Sequence, residues 1–307
     1  MKKLLFITLA AIMALGLALT GCSSSKGTIV VGSKIDTEGS LLGQMMILML
    51  QNNGFNAVDK TQTGATNIVK AALESGEIDM YPEYTGNGAF FFNDQNDPVW
   101  NNAQQGYEKV KQLDLQQNDI VWLAPAPANN TWAIAVPKSL ADKENLTTLT
   151  DFANYVNNGG YVKLIGSEEF ITSPVALPKF EQVYGFNLSG DQLISVSSGD
   201  TAQTEKAAYQ GTDGVNAAMA YGTDGSLAAF NLVILGDPMG AQPVYEPAPR
   251  VRGEIMQKYP EIANILNPVF QSLTLETLQT LNGKIAVDGL NPKDVARDYL
   301  TSKGFLK

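Results

Sequence analysis

The sequence predicts an α/β protein of two lobes with a crevice between them. Three observations lead there. Short β-branched runs alternate with stretches whose apolar residues recur at helical spacing. Pro-rich extended segments interrupt that alternation and cannot be helix or central strand. The chain, at 307 residues, is long enough for two domains.

The first alternation begins at "TIVVG", Thr28 to Gly32, a buried strand by composition. Asp36 or Thr37 can cap the helix that follows, and Leu41, Leu42, Met45, Leu48 and Met49 form its apolar positions. Gly54 stops it. A second strand is expected around "NAVDKTQT". The pattern then repeats, with Thr66 or Asn67 at a helix start, Gly76 as the stop and a strand over Ile78–Tyr81. Strand, helix, strand, helix, strand indicates parallel βαβ units.

"PAPANN", Pro125 to Asn130, breaks the series and leads into the apolar strand "TWAIAV", closed by Pro137. A helix capped by Thr150 or Asp151 is expected next, then a strand at "YVKLIG". The Ala-rich "DTAQTEKAAYQG" reads as a helix ended by Gly211, and "VNAAMAYGTDG" as a strand running into a glycine-bounded turn. "NLVILGD" is a strand, "QPVYEPAPRVR" is extended, and helical segments fill the remainder. Ligands of open parallel sheets sit outside the carboxyl ends of strands. Lys34, Tyr84, Trp132 and Tyr221 stand at such ends, with Tyr81 and Tyr245 also beside turns or extended chain. Several rings converging on one crevice would present π faces to a cation, at about 0.5–2 kcal/mol each. Spacing alone leaves each ring open between core and crevice.

The N-terminus is a separate matter. Lys2 and Lys3 precede an apolar run from Leu4 to Thr20, which has the form of a secretory signal. That run is about seventeen residues, short of the ~20 a spanning helix needs. Leu19-Thr20-Gly21-Cys22 resembles a bacterial lipobox, which implies cleavage before Cys22 and its diacylation. Cys22 is the only cysteine, so no intramolecular disulfide can form. "SSSKG" would be a flexible tether.

Composition excludes several activities. A net charge of −10 without a basic stripe argues against nucleic acid. Histidine is absent, which removes Ser-His-Asp triads, Cys-His dyads and the usual zinc sites. No metal and no cofactor is expected. A carboxylate-pair glycosidase remains conceivable on acids such as Asp79 and Glu83. A surface scaffold lipoprotein would need no crevice at all.

Four motifs narrow the choice: "VGSKIDTEG", "GEIDMYPEYTGNGAFFF", "APANNTWAIAV" and "NAAMAYGTDG". In this order, over a match from about Ile29 to the C-terminus, they resemble the glycine betaine/choline/osmoprotectant-binding proteins of ABC transporters, and within these the low-affinity OsmF-type subgroup. The resemblance implies a type II periplasmic binding protein fold, two mixed sheets flanked by helices around an interlobe cleft. It implies lobe I at 28–131 plus 243–307 and lobe II at 132–242, behind a signal at 1–21 and a lipidated tether at 22–27. A monomeric, non-enzymatic receptor follows, held at the membrane by lipid outside the cytoplasm, which passes a quaternary-ammonium solute to permease subunits. Choline or another small cation is the alternative ligand to a betaine.

By motif, the resemblance places Tyr84, Trp132, Tyr221 and Tyr245 in an aromatic cage and Lys34 on the ligand carboxylate. Asn87 stands where relatives carry threonine. Ser173, in "ITSPVAL", stands where many carry a carboxylate-clamping arginine. A serine there offers one neutral donor in place of a charged fork, which implies weak betaine binding. Arg250 and Arg252 are read as hinge or surface salt-bridging residues, and Tyr81 as structural.

Overall fold

The computed structural model describes residues 25–197 and 201–306. The expected signal segment and Cys22 lie outside the described residues. None of the described helices is long and apolar enough to cross a membrane.

Ten strands, numbered in chain order, form two five-stranded sheets. The first contains β1 (Thr28–Lys34), β2 (Asn56–Gly64), β3 (Met80–Tyr84), β4 (Ile120–Trp122) and β10 (Pro247–Arg252), in the order β2-β1-β3-β10-β4. The second contains β5 (Trp132–Pro137), β6 (Leu164–Ser167), β7 (Leu193–Val196), β8 (Ala217–Tyr221) and β9 (Leu232–Ile234), in the order β7-β6-β8-β5-β9. Each sheet is mixed. β1 is parallel to β2 and β3, whereas β10 runs antiparallel to β3 and β4. β6 is parallel to β7 and β8, whereas β5 is antiparallel to β8 and β9.

The chain passes between the sheets twice, through residues 123–131 and 235–246. The two crossings run side by side. The Asn130 N–H donates to the Tyr245 carbonyl at 2.9 Å, and the Tyr245 N–H donates to Asn129 Oδ1 at 2.8 Å. Proline survives in the middle of the first sheet because Pro82 and Pro249 face each other in register. The bonds from Thr85 N–H to Glu246 and from Arg252 N–H to Asp79 set the alternation, and it makes this a non-hydrogen-bonded pair, so the ladder between β3 and β10 asks neither proline for an N–H.

The helix Thr37–Asn52 begins as expected: Asp36 accepts the Gly39 N–H at 2.7 Å. Every residue from Glu38 to Leu50 is buried, so the helix is sandwiched on all sides rather than packed on one stripe. The first sheet lies on one side, and the C-terminal helices Leu275–Ala286 and Pro292–Ser302 on the other.

Three expectations are corrected. The cap of Leu149–Asn157 is Thr148, with Asp151 three residues on. Thr148 Oγ1 accepts the Asp151 N–H at 3.2 Å, and Asp151 Oδ2 accepts the Thr148 N–H at 2.9 Å, a capping box. The third strand runs Met80–Tyr84 rather than Ile78–Tyr81; Asp79 instead turns its carboxylate to the Val30 N–H at 2.8 Å. Arg250 is neither hinge nor surface. It is fully buried, and its guanidinium grips Asp114 through Nε at 2.6 Å and Nη2 at 2.9 Å, with Glu74 and the Tyr81 hydroxyl completing its bonds. Arg252 stays nearer the surface, on Asp79 and Glu254.

Candidate ligand-binding cleft

A cleft of about 760 Å³ opens between the sheets. Lys34, Tyr84, Asn87, Trp132, Tyr221 and Tyr245 all line it. They arrive from both sheets and from the second crossing. Lys34 and Tyr84 end β1 and β3, the ends at which the parallel strands of the first sheet point their carboxyl termini. Tyr221 closes β8, but Trp132 opens β5, at the amino end rather than the expected carboxyl end, because antiparallel pairing sets the two opposite each other. Their rings stack at 6.4 Å between centroids and 20° between planes. Phe170 meets the Trp132 ring edge-on at 6.2 Å.

Tyr245 reaches the cleft across Gly86. A Cβ on Gly86 would stand 2.8 Å from the Tyr245 ring and 2.7 Å from the Val244 carbonyl, so only glycine admits this approach. Asn87 opens the short helix Asn87–Phe91 and donates through Nδ2 to Glu83 Oε1 at 2.8 Å.

Two buried carboxylates flank Tyr84. Glu83 receives the Lys34 ammonium at 2.6 Å, the Tyr84 N–H at 2.7 Å and the Tyr81 hydroxyl at 2.9 Å. The Lys34 ammonium also rests over the Tyr84 ring, 4.6 Å from its centroid, so this ring accepts a cation. Glu38, in the first turn of its helix, accepts the Tyr84 hydroxyl at 2.7 Å and Asn282 Nδ2 at 2.7 Å. Asn130 Nδ2 approaches it at 3.4 Å. Burial pushes the Glu38 carboxyl up to about 7, against the pull of its donors. Burial, reinforced by Glu38, holds the Tyr84 phenol well above its usual value, and burial raises Tyr221 and Tyr245 too. The phenols lining the cleft therefore stay neutral around pH 7.

Ser173 is placed differently. It caps the end of the helix Glu168–Thr172 and is not among the lining residues; Val175, two positions on, is. The Gln242 side chain holds the Val175 carbonyl at 2.8 Å. Among the described residues lining the cleft, Lys34 is the only Lys or Arg, against Asp36, Glu38 and Asp224. Glu38, Asn130, Thr223 and Asn282 escaped the sequence reading. Glu38, Asn130 and Thr223 lay within the motifs "VGSKIDTEG", "APANNTWAIAV" and "NAAMAYGTDG", Asn282 lay in none of them, and no local pattern ties Glu38 to a residue so distant. Asp79 and Glu83, the acids a glycosidase would need, are each bonded within the first sheet's own lobe.

Residues 27–302 match the OpuAC family, the substrate-binding domain of ABC-type glycine betaine transport systems. The chain belongs to that family. It is 55% identical over 300 residues to the glycine betaine-binding protein YehZ of Escherichia coli, covering 98% of this chain and 97% of that protein. It is 31% identical over 291 residues to a glycine-betaine-binding protein of Pseudomonas aeruginosa, covering 93% and 90%. The solved structure of apo YehZ from Escherichia coli superposes with a TM-score of 0.87 at 57% identity, over 91% of this chain and 99% of that one. An OpuAC domain is a two-lobed α/β body, and the sheets and crossings described above are that body. A glycine betaine/carnitine/choline ABC transporter structure, at 20% identity, shares the fold with a TM-score of 0.79.

Proposed function

We propose that the protein is the extracytoplasmic receptor of an ABC importer and captures glycine betaine or a similar quaternary-ammonium solute for its permease subunits. One observation carries this reading. Four aromatic side chains from both sheets and the second crossing, Tyr84, Trp132, Tyr221 and Tyr245, line a single cleft. Neutral rings offer π faces to a cation that has no N–H to donate, the recognition suited to a trimethylammonium group. Asn87 and Lys34 stand beside them for the carboxylate pole. The Lys34 charge is shared with Glu83, and Ser173 lies off the lining, so the carboxylate is weakly held and binding of glycine betaine is weak. That same charge balance favours choline as the second ligand to test.

The proposed lobes are 28–131 plus 243–307 and 132–242; the first cut falls at the end of the first crossing and the second inside the other. The proposed anchor is a diacylglycerol on Cys22. Mass spectrometry of the mature chain, with Cys22→Ser as comparison, tests it.

Titration calorimetry with glycine betaine and choline tests the receptor reading. Saturable binding that Trp132→Ala and Tyr221→Ala each weaken supports it. An unchanged affinity in both variants places the ligand elsewhere.

A further inference from the structure

We propose that Glu38 is a specificity-determining residue of the cleft, whose ionisation couples capture of a quaternary-ammonium ligand to release of a proton. The inference rests on the cleft being the quaternary-ammonium site.

The geometry around Glu38 is built for a negative charge. Its carboxyl receives a hydroxyl from β3, an amide from the first crossing and an amide from the helix Leu275–Ala286. The two amides show the bias best. Asn282 Nδ2 gives its hydrogens to Glu38 and to the Thr223 carbonyl, both acceptors, so the amide cannot be turned round. Its own Oδ1 is left buried without a partner, and so is that of Asn130. Two amides thus spend their donors on one carboxyl. A protonated Glu38 would set an O–H against NH₂ groups that cannot accept it.

Burial opposes the same charge, because no ammonium or guanidinium among the described residues bonds to this carboxyl. The charged and titratable groups around it are Asp36 and Lys34 on its own segment, Tyr84 with Glu83 from β3, and Asp224 beside Thr223. The Lys34 ammonium is bonded to Glu83, and the first crossing and the helix Leu275–Ala286 contribute only the amides of Asn130 and Asn282. The charge that burial opposes and the donors favour is supported by a cation on the Tyr84 ring. An ionised Glu38 also draws on the Tyr84 hydroxyl and enriches that ring's face. Binding the ammonium pole therefore expels the Glu38 proton, and raising the pH through about 7 tightens binding.

The test uses the mature chain with tetramethylammonium and glycine betaine, neither of which titrates between pH 5.5 and 8.5. Affinity is measured by calorimetry across that range in two buffers of different ionisation enthalpy. Both ligands should bind about tenfold more tightly at the upper end, with proton release near pH 7. Glu38→Gln should bind with a flat profile. Tyr84→Phe, which keeps the ring and removes one donor from the carboxyl, should move the midpoint upward, and it carries the test if circular dichroism shows the glutamine variant unfolded. A flat wild-type profile, a glutamine variant that follows the wild type, or an unmoved midpoint in Tyr84→Phe overturns the inference and leaves the receptor standing. Absence of binding by either ligand at every pH overturns both.

Discussion

Two regions on either side of Tyr84 treat buried charge in opposite ways. Behind β3, Glu83 meets Lys34, and Tyr81 links it to Arg250 and Asp114, so acid and base lie in direct contact. Toward the cleft, Glu38 is just as buried but meets only neutral donors. The first arrangement sets each charge against its opposite; the second leaves Glu38 open to what enters the cleft. Burial alone does not make a carboxylate functional. The identity of its partners does.

That contrast can be broken first on its rigid side. Arg250→Met removes the base from Asp114 and leaves a buried acid uncompensated. It should cost about 3–5 kcal/mol in urea denaturation, while betaine affinity in the folded fraction changes little. A loss below 1 kcal/mol would mean the cluster is not the scaffold its bonds suggest.

On the responsive side, the Glu38 carboxyl in the folded chain sits near 7 against an ordinary 4.5. A raised carboxyl holds its proton longer in the folded state. Its contribution to stability is therefore complete below about 4.5 and is lost as pH rises through about 7. The loss is on the order of 3 kcal/mol. Denaturation of the ligand-free protein at pH 5 and pH 8, wild type against Glu38→Gln, measures it as the difference in slope between the two.

Trp132→Ala removes a ring that no charged group holds in place and should weaken binding by about 1–2 kcal/mol, some five- to thirtyfold. The smallest effect sharpens the carboxylate pole. Val175→Arg projects from a lining position and should tighten betaine several-fold. Ser173→Arg, from a position off the lining, should do less. The reverse order would return Ser173 to the site.

The sheets were legible because β-branched runs and glycine stops are local signals. Most of the expected strands occur close to where the pattern puts them, and Asp36 caps its helix. The polar helix Ala103–Asn118 was not, since it buries only Gly106, Val110 and Asp114 and carries little apolar period. The six lining residues named from motifs lie at strand ends or beside turns. Glu38 and Asn282 are 244 positions apart, and Arg250 and Asp114 are 136, so only the folded chain shows what they share. Thr148 was missed for a simpler reason: Thr150 and Asp151 offered the same cap chemistry nearby.

The stacking of Trp132 on Tyr221 has a consequence for the order of events. These rings stand on neighbouring strands of one sheet, and their spacing is set by the ladder between them. That half of the proposed cage needs no assembly before a ligand arrives. Tyr84 belongs to the other sheet and Tyr245 to a crossing, so no strand ladder fixes their distance from the pair. Encounter at the ready-made half followed by arrival of the other would make association fast and leave residence time to the second step. Changes at Trp132 would then register in both rates, and changes at Tyr84 chiefly in dissociation.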